Sequence, residues 1–166
     1  MHFLLFPFYL LYQLIVYLRN ILFDIGLFSS KKFNIPIISI GNLCMGGTGK
    51  TPHVDYLLEI LKKKYNVAVL SRGYRRNSKG FVMLESSSDY DQVGDEPLQL
   101  KKKHPNCIIA VCKSRKFGIN KLLKQDPAID VIILDDAFQH RWISAGLNIL
   151  ITSYQKPFYS NSLLPF

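Results

Sequence analysis

The stretch that decides the fold is Cys44-Met45-Gly46-Gly47-Thr48-Gly49-Lys50-Thr51. It follows an apolar run at residues 35–40 and precedes a segment of helical length, residues 51–64, with apolar residues on one face. In that setting, a glycine-rich loop points successive backbone N–H groups and the positive end of a helix at phosphate oxygens. The pattern therefore predicts a loop that binds the phosphates of a nucleoside triphosphate.

The positions of this loop have different expected tasks. Gly46, Gly47 and Gly49 permit backbone conformations and close approaches that a side chain would block. Lys50 is expected to reach the β- and γ-phosphates, and Thr51 to offer its hydroxyl to Mg²⁺. The first position of the usual pattern is glycine, whereas here it is Cys44. This departure weakens the pattern match without removing the mechanism, and a glycine-rich turn that binds nothing is the alternative.

The rest of the chain alternates between segments of strand length and segments of helix length. Apolar runs predict further strands at residues 66–71, 107–112, 131–134 and 147–152. Amphipathic stretches predict helices at residues 96–103 and 115–125. This alternation is typical of β-α-β units. We therefore predict an α/β fold of the P-loop NTPase type over residues 29–166, with a mostly parallel sheet flanked by helices and a long loop at residues 72–94.

Composition narrows the class of protein less than the motifs do. The chain has 166 residues, 48% of them hydrophobic, and three cysteines without metal-binding spacing, which suits one domain in a reducing compartment. Its net charge of +9 is compatible with nucleic acid, an anionic membrane or an acidic substrate. Two lysine runs, residues 62–64 and 101–103, have a simpler explanation at helix ends. Because no aromatic-basic recognition motif appears, nucleic acid is the least favoured partner.

The first 28 residues differ from the remainder. Residues 3–18 are almost wholly apolar, yet this run is shorter than the roughly 20 residues that cross a bilayer. The segment also lacks the basic start and small-residue cleavage site of a signal peptide. Aromatic residues and nearby Arg19, Lys31 and Lys32 suit the headgroup region of a membrane. We predict a helix that lies on a membrane surface, with a buried helix and a single span as open alternatives.

A pair of carboxylates predicts the second part of a nucleotide site. Asp135 and Asp136 directly follow the apolar run at residues 131–134, so they belong at the carboxyl edge of the sheet, beside the glycine-rich loop. One of them is expected to hold Mg²⁺, directly or through water. Capping of the next turn is the alternative.

Four stretches in this order resemble the tetraacyldisaccharide 4′-kinases, which phosphorylate the lipid A disaccharide precursor in Gram-negative bacteria. They extend over nearly the whole chain: residues 40–52 around the glycine-rich loop, Ser71-Arg72-Gly73-Tyr74, Gly94-Asp95-Glu96-Pro97, and residues 134–141, Leu-Asp-Asp-Ala-Phe-Gln-His-Arg. The combination is more specific than a glycine-rich loop alone. Ala137 departs from the family, which usually has glycine there.

The resemblance implies transfer of the γ-phosphate of ATP to the 4′-hydroxyl of tetraacyldisaccharide 1-phosphate, at the cytoplasmic face of the inner membrane. It assigns Lys50 and Thr51 to ATP and Mg²⁺, and it marks Asp95 as the base that orients the acceptor hydroxyl. Spacing alone instead favours a helix cap as the role of Asp95, and the resemblance reverses that preference. Four further residues are assigned to the neighbourhood of the acceptor or its phosphates: Arg72, Gln139, His140 and Arg141.

Length is the more serious departure from this family, whose members are about twice as long. We expect the carboxy-terminal lobe to be absent and the 166-residue chain alone to have little kinase activity. A membrane-associated P-loop ATPase or nucleotide switch is the alternative function. That alternative gives no role to Arg72 or Asp95, and the sequence leaves the oligomeric state open.

Overall fold

The computed structural model describes residues 6–42, 49–138, 140–152, 154 and 157. Its helices are α1 (Phe6–Asp24), α2 (Lys50–Leu61), α3 (Tyr90–Val93), α4 (Asp95–Lys103) and α5 (Arg115–Gln125). Its strands are β1 (Ile37–Asn42), β2 (Val67–Ser71), β3 (Phe81–Met83), β4 (Ile108–Cys112), β5 (Val131–Asp135) and β6 (Leu147–Ile151).

The six strands form one sheet in the order β3-β4-β2-β5-β1-β6. Neighbouring strands are parallel except β3, which runs antiparallel to β4. The carboxyl ends of β1, β2 and β5 therefore meet at one edge, where ligands bind in open α/β sheets. The prediction of a mostly parallel α/β sheet is confirmed.

Helices cover both faces of the sheet, so the core consists of two layers, one on each face. On one face, Val54 and Leu58 of α2 pack in a buried cluster with strand residues such as Ile133. On the other face, Ile119 and Leu122 of α5 belong to a second cluster. Every residue of β2 and β5 is buried, because these two strands are covered on both sides. The position of α2 over β1 and β5 brings its first residues to the ligand-binding edge.

The predicted elements occur in the predicted order, with shifted ends. The first strand begins at Ile37 rather than at residue 35, because Pro36 has no N–H to give to a ladder. The Pro36 carbonyl nevertheless accepts a hydrogen bond from the Ile132 N–H at 3.1 Å. Helix α2 ends at Leu61, three residues before the predicted end at residue 64, and the Lys62 N–H closes it on Leu58.

The long loop predicted at residues 72–94 is wrong in part, because it contains two short elements. Strand β3 adds three residues to the sheet by pairing Phe81 with Cys112 and Met83 with Ala110. Helix α3 spans four residues directly before α4. Elements of three and four residues are too short to show a period in the sequence.

Among residues 10–24 of helix α1, whose side chains the structure describes, burial against the domain is found at the carboxyl end. Phe23 is buried, whereas Leu10, Leu14, Ile15 and Leu18 are exposed. The alternative of a helix that is buried along its length is therefore wrong for the described part of α1. Among the residues described, no helix is both long enough and apolar enough to cross a membrane.

Candidate nucleotide and metal site

The site lies at the carboxyl edge of the three central strands. Strand β1 ends at Asn42, β2 at Ser71 and β5 at Asp135. Gly49 precedes α2 with a positive φ of 79°, a conformation that glycine adopts without strain. Residues 43–48 lie outside the described part of the chain, so the predicted phosphate contacts of Cys44, Met45, Gly46, Gly47 and Thr48 stay predictions.

Lys50 points from the first turn of α2 toward the ends of two strands. Its Nζ donates a hydrogen bond to Asn42 Oδ1 at 3.2 Å and lies 3.5 Å from Asp136 Oδ1. Thr51 follows it and is half-buried. The start of α2 thus places an ammonium group beside a carboxylate, and the next residue carries a hydroxyl; these are the types of side chain that a triphosphate and its metal ion require.

The two adjacent carboxylates have different surroundings. Asp136 is 47% exposed and adopts a positive φ of 53°, uncommon for a residue other than glycine. Asp135 is only 2% exposed, and Ser71 Oγ donates a hydrogen bond to its Oδ2 at 3.0 Å. Its Oδ1 accepts no hydrogen bond from any described residue. Burial raises the pKa of Asp135 from 3.8 to about 6.

These carboxylates fit a magnesium site of the kind that phosphates complete. Within the described ranges, no group of three or more His, Cys, Asp or Glu side chains could hold a metal by itself. Mg²⁺ commonly keeps water and binds one or two carboxylates together with substrate phosphates, so such a cluster is not needed. The buried, unpaired Oδ1 of Asp135 and the accessible Asp136 are oxygen donors of the required type. A cation would also offset the burial of Asp135.

Arg115 is a residue of the site that the sequence reading missed. It is 1% exposed, and its Nη1 donates to the Cys112 carbonyl at 2.8 Å. Its Nη2 donates to the carbonyls of Asp135 and Asp136 at 2.6 and 3.3 Å, so it holds the backbone of both carboxylates. Burial lowers the pKa of Arg115 to about 10. The available signal was an arginine in the first turn of α5, where the helix dipole disfavours a cation.

Asp95 is the first residue of α4, and its side chain is exposed. Gly94 takes the N-cap position, and no side-chain hydrogen bond caps the helix, so the cap interpretation of Asp95 is wrong. Gly94 is buried against the turn that carries Tyr74. This close approach places Asp95 beside the segment that begins with Arg72.

Replacing Gly94 with alanine is expected to destabilise this junction. Its φ of 90° and ψ of 161° define a region that is essentially restricted to glycine, and an added Cβ would lie 2.8 Å from the Tyr74 carbonyl oxygen. Gly80→Ala is the matched control, because Gly80 has a φ of 73° but no atom within 4 Å of the new Cβ. Urea denaturation should show a loss of roughly 3 kcal/mol for Gly94→Ala and about 1 kcal/mol for Gly80→Ala. Equal losses would contradict the contact.

The remaining predicted residues lie in different surroundings. Arg72 is exposed directly after β2. His140 is half-buried, and burial together with the charges of Arg115 and Arg72 lowers its pKa. Arg141 instead contacts α1: Nη2 lies 2.6 Å from Asp24 Oδ1, and Nη1 donates to a backbone carbonyl of the same helix at 3.2 Å. Gln139 lies outside the described residues.

A parallel sheet with a lysine-bearing helix start and two carboxylates at its carboxyl edge defines a protein of the P-loop nucleotide-binding class. The sequence profile described as tetraacyldisaccharide-1-P 4′-kinase matches residues 1–166. The chain therefore belongs to the tetraacyldisaccharide-1-P 4′-kinase family, and the resemblance noted in its motifs is confirmed.

Relatives and a solved structure agree with this assignment. The chain is 51% identical over 162 residues to a tetraacyldisaccharide 4′-kinase of Bacteroides fragilis, covering 97% of this chain and 43% of the relative. It is 49% identical to that of Flavobacterium psychrophilum, covering 97% and 47%. The crystal structure of LpxK from Aquifex aeolicus in complex with ATP matches with a TM-score of 0.84 and 39% identity, covering 97% and 51%. The chain spans about half the length of the relatives it matches.

Proposed function

We propose that this chain provides the nucleotide-binding part of a tetraacyldisaccharide 4′-kinase, an enzyme of lipid A biosynthesis. The observation that carries the proposal is the position of Lys50 beside Asn42 and Asp136, in a family whose solved member binds ATP. Lys50 binds the β- and γ-phosphates, and the glycine-rich motif predicts that backbone N–H groups of residues 44–49 bind them as well. Thr51, Asp135 and Asp136 hold Mg²⁺, which neutralises phosphate charge.

On the acceptor side, we assign Asp95 to the base that orients the 4′-hydroxyl of tetraacyldisaccharide 1-phosphate. Its carboxylate is exposed at the start of α4 and is not used as a helix cap. A carboxylate that accepts the hydroxyl proton is what phosphoryl transfer to a sugar alcohol requires. Arg72, Gln139 and His140 remain assigned to the neighbourhood of the acceptor and phosphates.

The same proposal gives α1 a role at the cytoplasmic face of the inner membrane. The acceptor carries four acyl chains, so its kinase must work at a lipid surface. Helix α1 exposes large apolar side chains over most of its described length, and Lys32 is exposed after it. Apolar contact with the acyl boundary combined with attraction of lysine to anionic headgroups is how an interfacial helix binds.

Calorimetric titration of the purified chain with Mg-ATP tests the nucleotide site. We expect saturable binding to one site with a micromolar dissociation constant. AMP is the matched control ligand, because it presents the same base and sugar without the β- and γ-phosphates. Equal affinities for AMP and Mg-ATP would contradict the proposed phosphate contacts, and hydrolysis of ATP without a phosphorylated lipid would favour an ATPase.

A further inference from the structure

Residues 136–138 and 140–144, here called the linking segment, lead from the end of β5 to the carboxyl end of α1. At its first residue, the Asp136 carbonyl accepts a hydrogen bond from Arg115, as described above. The next N–H, of Ala137, donates to the Ile40 carbonyl at 3.1 Å. The start of the linking segment is thereby fixed to the ends of β1 and β5, where the two carboxylates lie.

The other end of the linking segment is attached to α1 and to the turn after it. The Trp142 ring lies 4.9 Å from the Phe23 ring and 5.1 Å from the Phe28 ring, measured between centroids. The Lys31 N–H donates to the Trp142 carbonyl at 3.0 Å, and the Ser144 N–H donates to the Lys31 carbonyl at 3.0 Å. These contacts order the segment against the carboxyl end of α1.

Arg141 makes the polar part of this attachment. Its guanidinium lies over the Phe23 ring at 4.9 Å, with Nη2 2.6 Å from Asp24 Oδ1 and Nη1 3.2 Å from the Asn20 carbonyl. One planar group thus contacts three residues within about one turn of α1, which a lysine ammonium could not do. The Arg141 carbonyl accepts a further hydrogen bond from Ser30 Oγ.

Between its two ends, the linking segment packs on the sheet through Ala137 and Ile143, which are 6% and 8% exposed and belong to a buried core cluster. A pocket of about 350 Å³ that opens to solvent lies beside these contacts, lined on the sheet side by Ser39 and Asn148 and on the segment side by Phe138 and Ile143. Because core packing and backbone hydrogen bonds, such as that from the His140 N–H to the Ala137 carbonyl, connect its two ends, the segment forms a continuous path of contacts between α1 and the end of β5. A change at α1 can therefore reach the backbone of Asp136.

We propose that Arg141 is a positioning residue that couples membrane binding by α1 to Mg-ATP binding at Asp136 and Lys50. The inference rests on the proposed function, since it needs both a nucleotide site and a membrane-binding helix. A bilayer that holds α1 also restrains the linking segment, so less conformational entropy is lost when Mg-ATP fixes the exposed side chain of Asp136. By linkage, Mg-ATP must strengthen membrane binding by the same factor.

The test measures one ratio, the coupling factor: the dissociation constant of Mg-ATP without vesicles divided by that with saturating vesicles. The vesicles contain equal parts of phosphatidylethanolamine and phosphatidylglycerol. We expect a factor of about 5 or more for the wild-type chain, at the lower end of typical allosteric couplings. Vesicle flotation with and without Mg-ATP should return the same factor, because the coupling is reciprocal.

Variants of the ion pair separate positioning from general stability. Asp24→Asn and Arg141→Ala should bring the coupling factor close to 1, whereas Asp24→Glu, which keeps the ion pair, should retain it. Asp24 is an exposed residue of α1 away from the nucleotide, so Asp24→Asn should leave the Mg-ATP affinity without vesicles unchanged.

The outcomes distinguish this inference from the function on which it rests. Absence of Mg-ATP binding without vesicles would overturn the proposed function and the inference with it. Normal Mg-ATP binding with a coupling factor of 1 in the wild type, whether or not vesicles bind, would overturn the inference alone. An unchanged factor in both Asp24→Asn and Arg141→Ala would also overturn it.

Discussion

Lys50→Ala is expected to weaken Mg-ATP binding by about 30-fold or more in calorimetry, since a charge-assisted hydrogen bond contributes about 2 kcal/mol or more. The Lys50 ammonium lies between Asn42 Oδ1 and Asp136 Oδ1. A triphosphate offers the same ammonium several anionic oxygens, so the lysine contributes more to the bound state than to the free state. The loss should be much smaller for AMP, which lacks the phosphates that Lys50 contacts.

The fold should survive this substitution. Asp136 loses an ion pair but is 47% exposed, so water can solvate its carboxylate. Lys124→Ala is the matched control: it removes the same charge from an exposed position at the end of α5, on the opposite edge of the sheet. The control should bind Mg-ATP as the wild type does. Equal affinities of wild type and Lys50→Ala would refute the site.

Much of the architecture could be predicted because the central strands are buried on both faces. Strand β5 is apolar over four consecutive residues and then ends in a carboxylate, a pattern that indicates both its burial and its direction. Helix α5 was predicted with the bounds it has, Arg115–Gln125. Strand β3 was missed, because its place on the sheet depends on pairing with β4 and not on a local pattern.

Site residues that belong to a sequence motif could be predicted. Site residues whose role depends on tertiary packing could not. Lys50, Asp135 and Asp136 follow from residue type and position relative to strands. The role of Arg115 depends on where α5 begins relative to β5, a distance that no local pattern encodes. The position of Arg141 in a motif predicts a contact with the acceptor or a phosphate, whereas in the structure its guanidinium contacts α1. Only the folded chain brings residues 117 positions apart together in this way.

Asp135→Asn is expected to stabilise the fold at neutral pH and to weaken Mg-ATP binding. The folded-state pKa of Asp135 is raised from 3.8 to about 6 by burial, so the folded chain binds a proton more tightly than the unfolded chain. The contribution of this carboxyl to stability is therefore fully present below about pH 4, falls as pH rises to about 6, and is absent above that. The shift corresponds to about 3 kcal/mol.

Asparagine has the same shape, can accept the hydrogen bond from Ser71, and carries no charge to bury. In urea titrations with EDTA, the free energy of unfolding of Asp135→Asn should equal that of the wild type at pH 4 and exceed it by up to about 3 kcal/mol at pH 7. Its Mg-ATP affinity should fall by about tenfold or more, as for lost metal ligation.

Asp136→Asn is the control, because its exposed carboxylate gives no stabilisation when neutralised but should also weaken Mg-ATP binding. A pH-independent stability difference for Asp135→Asn would show that its carboxylate is not buried as described, and unchanged Mg-ATP affinity would remove it from the metal site. If Asp135→Asn stabilises the fold and also weakens Mg-ATP binding, the Asp135 carboxylate lowers stability but is needed for metal binding. That pair of results would support a role for Asp135 as a metal ligand.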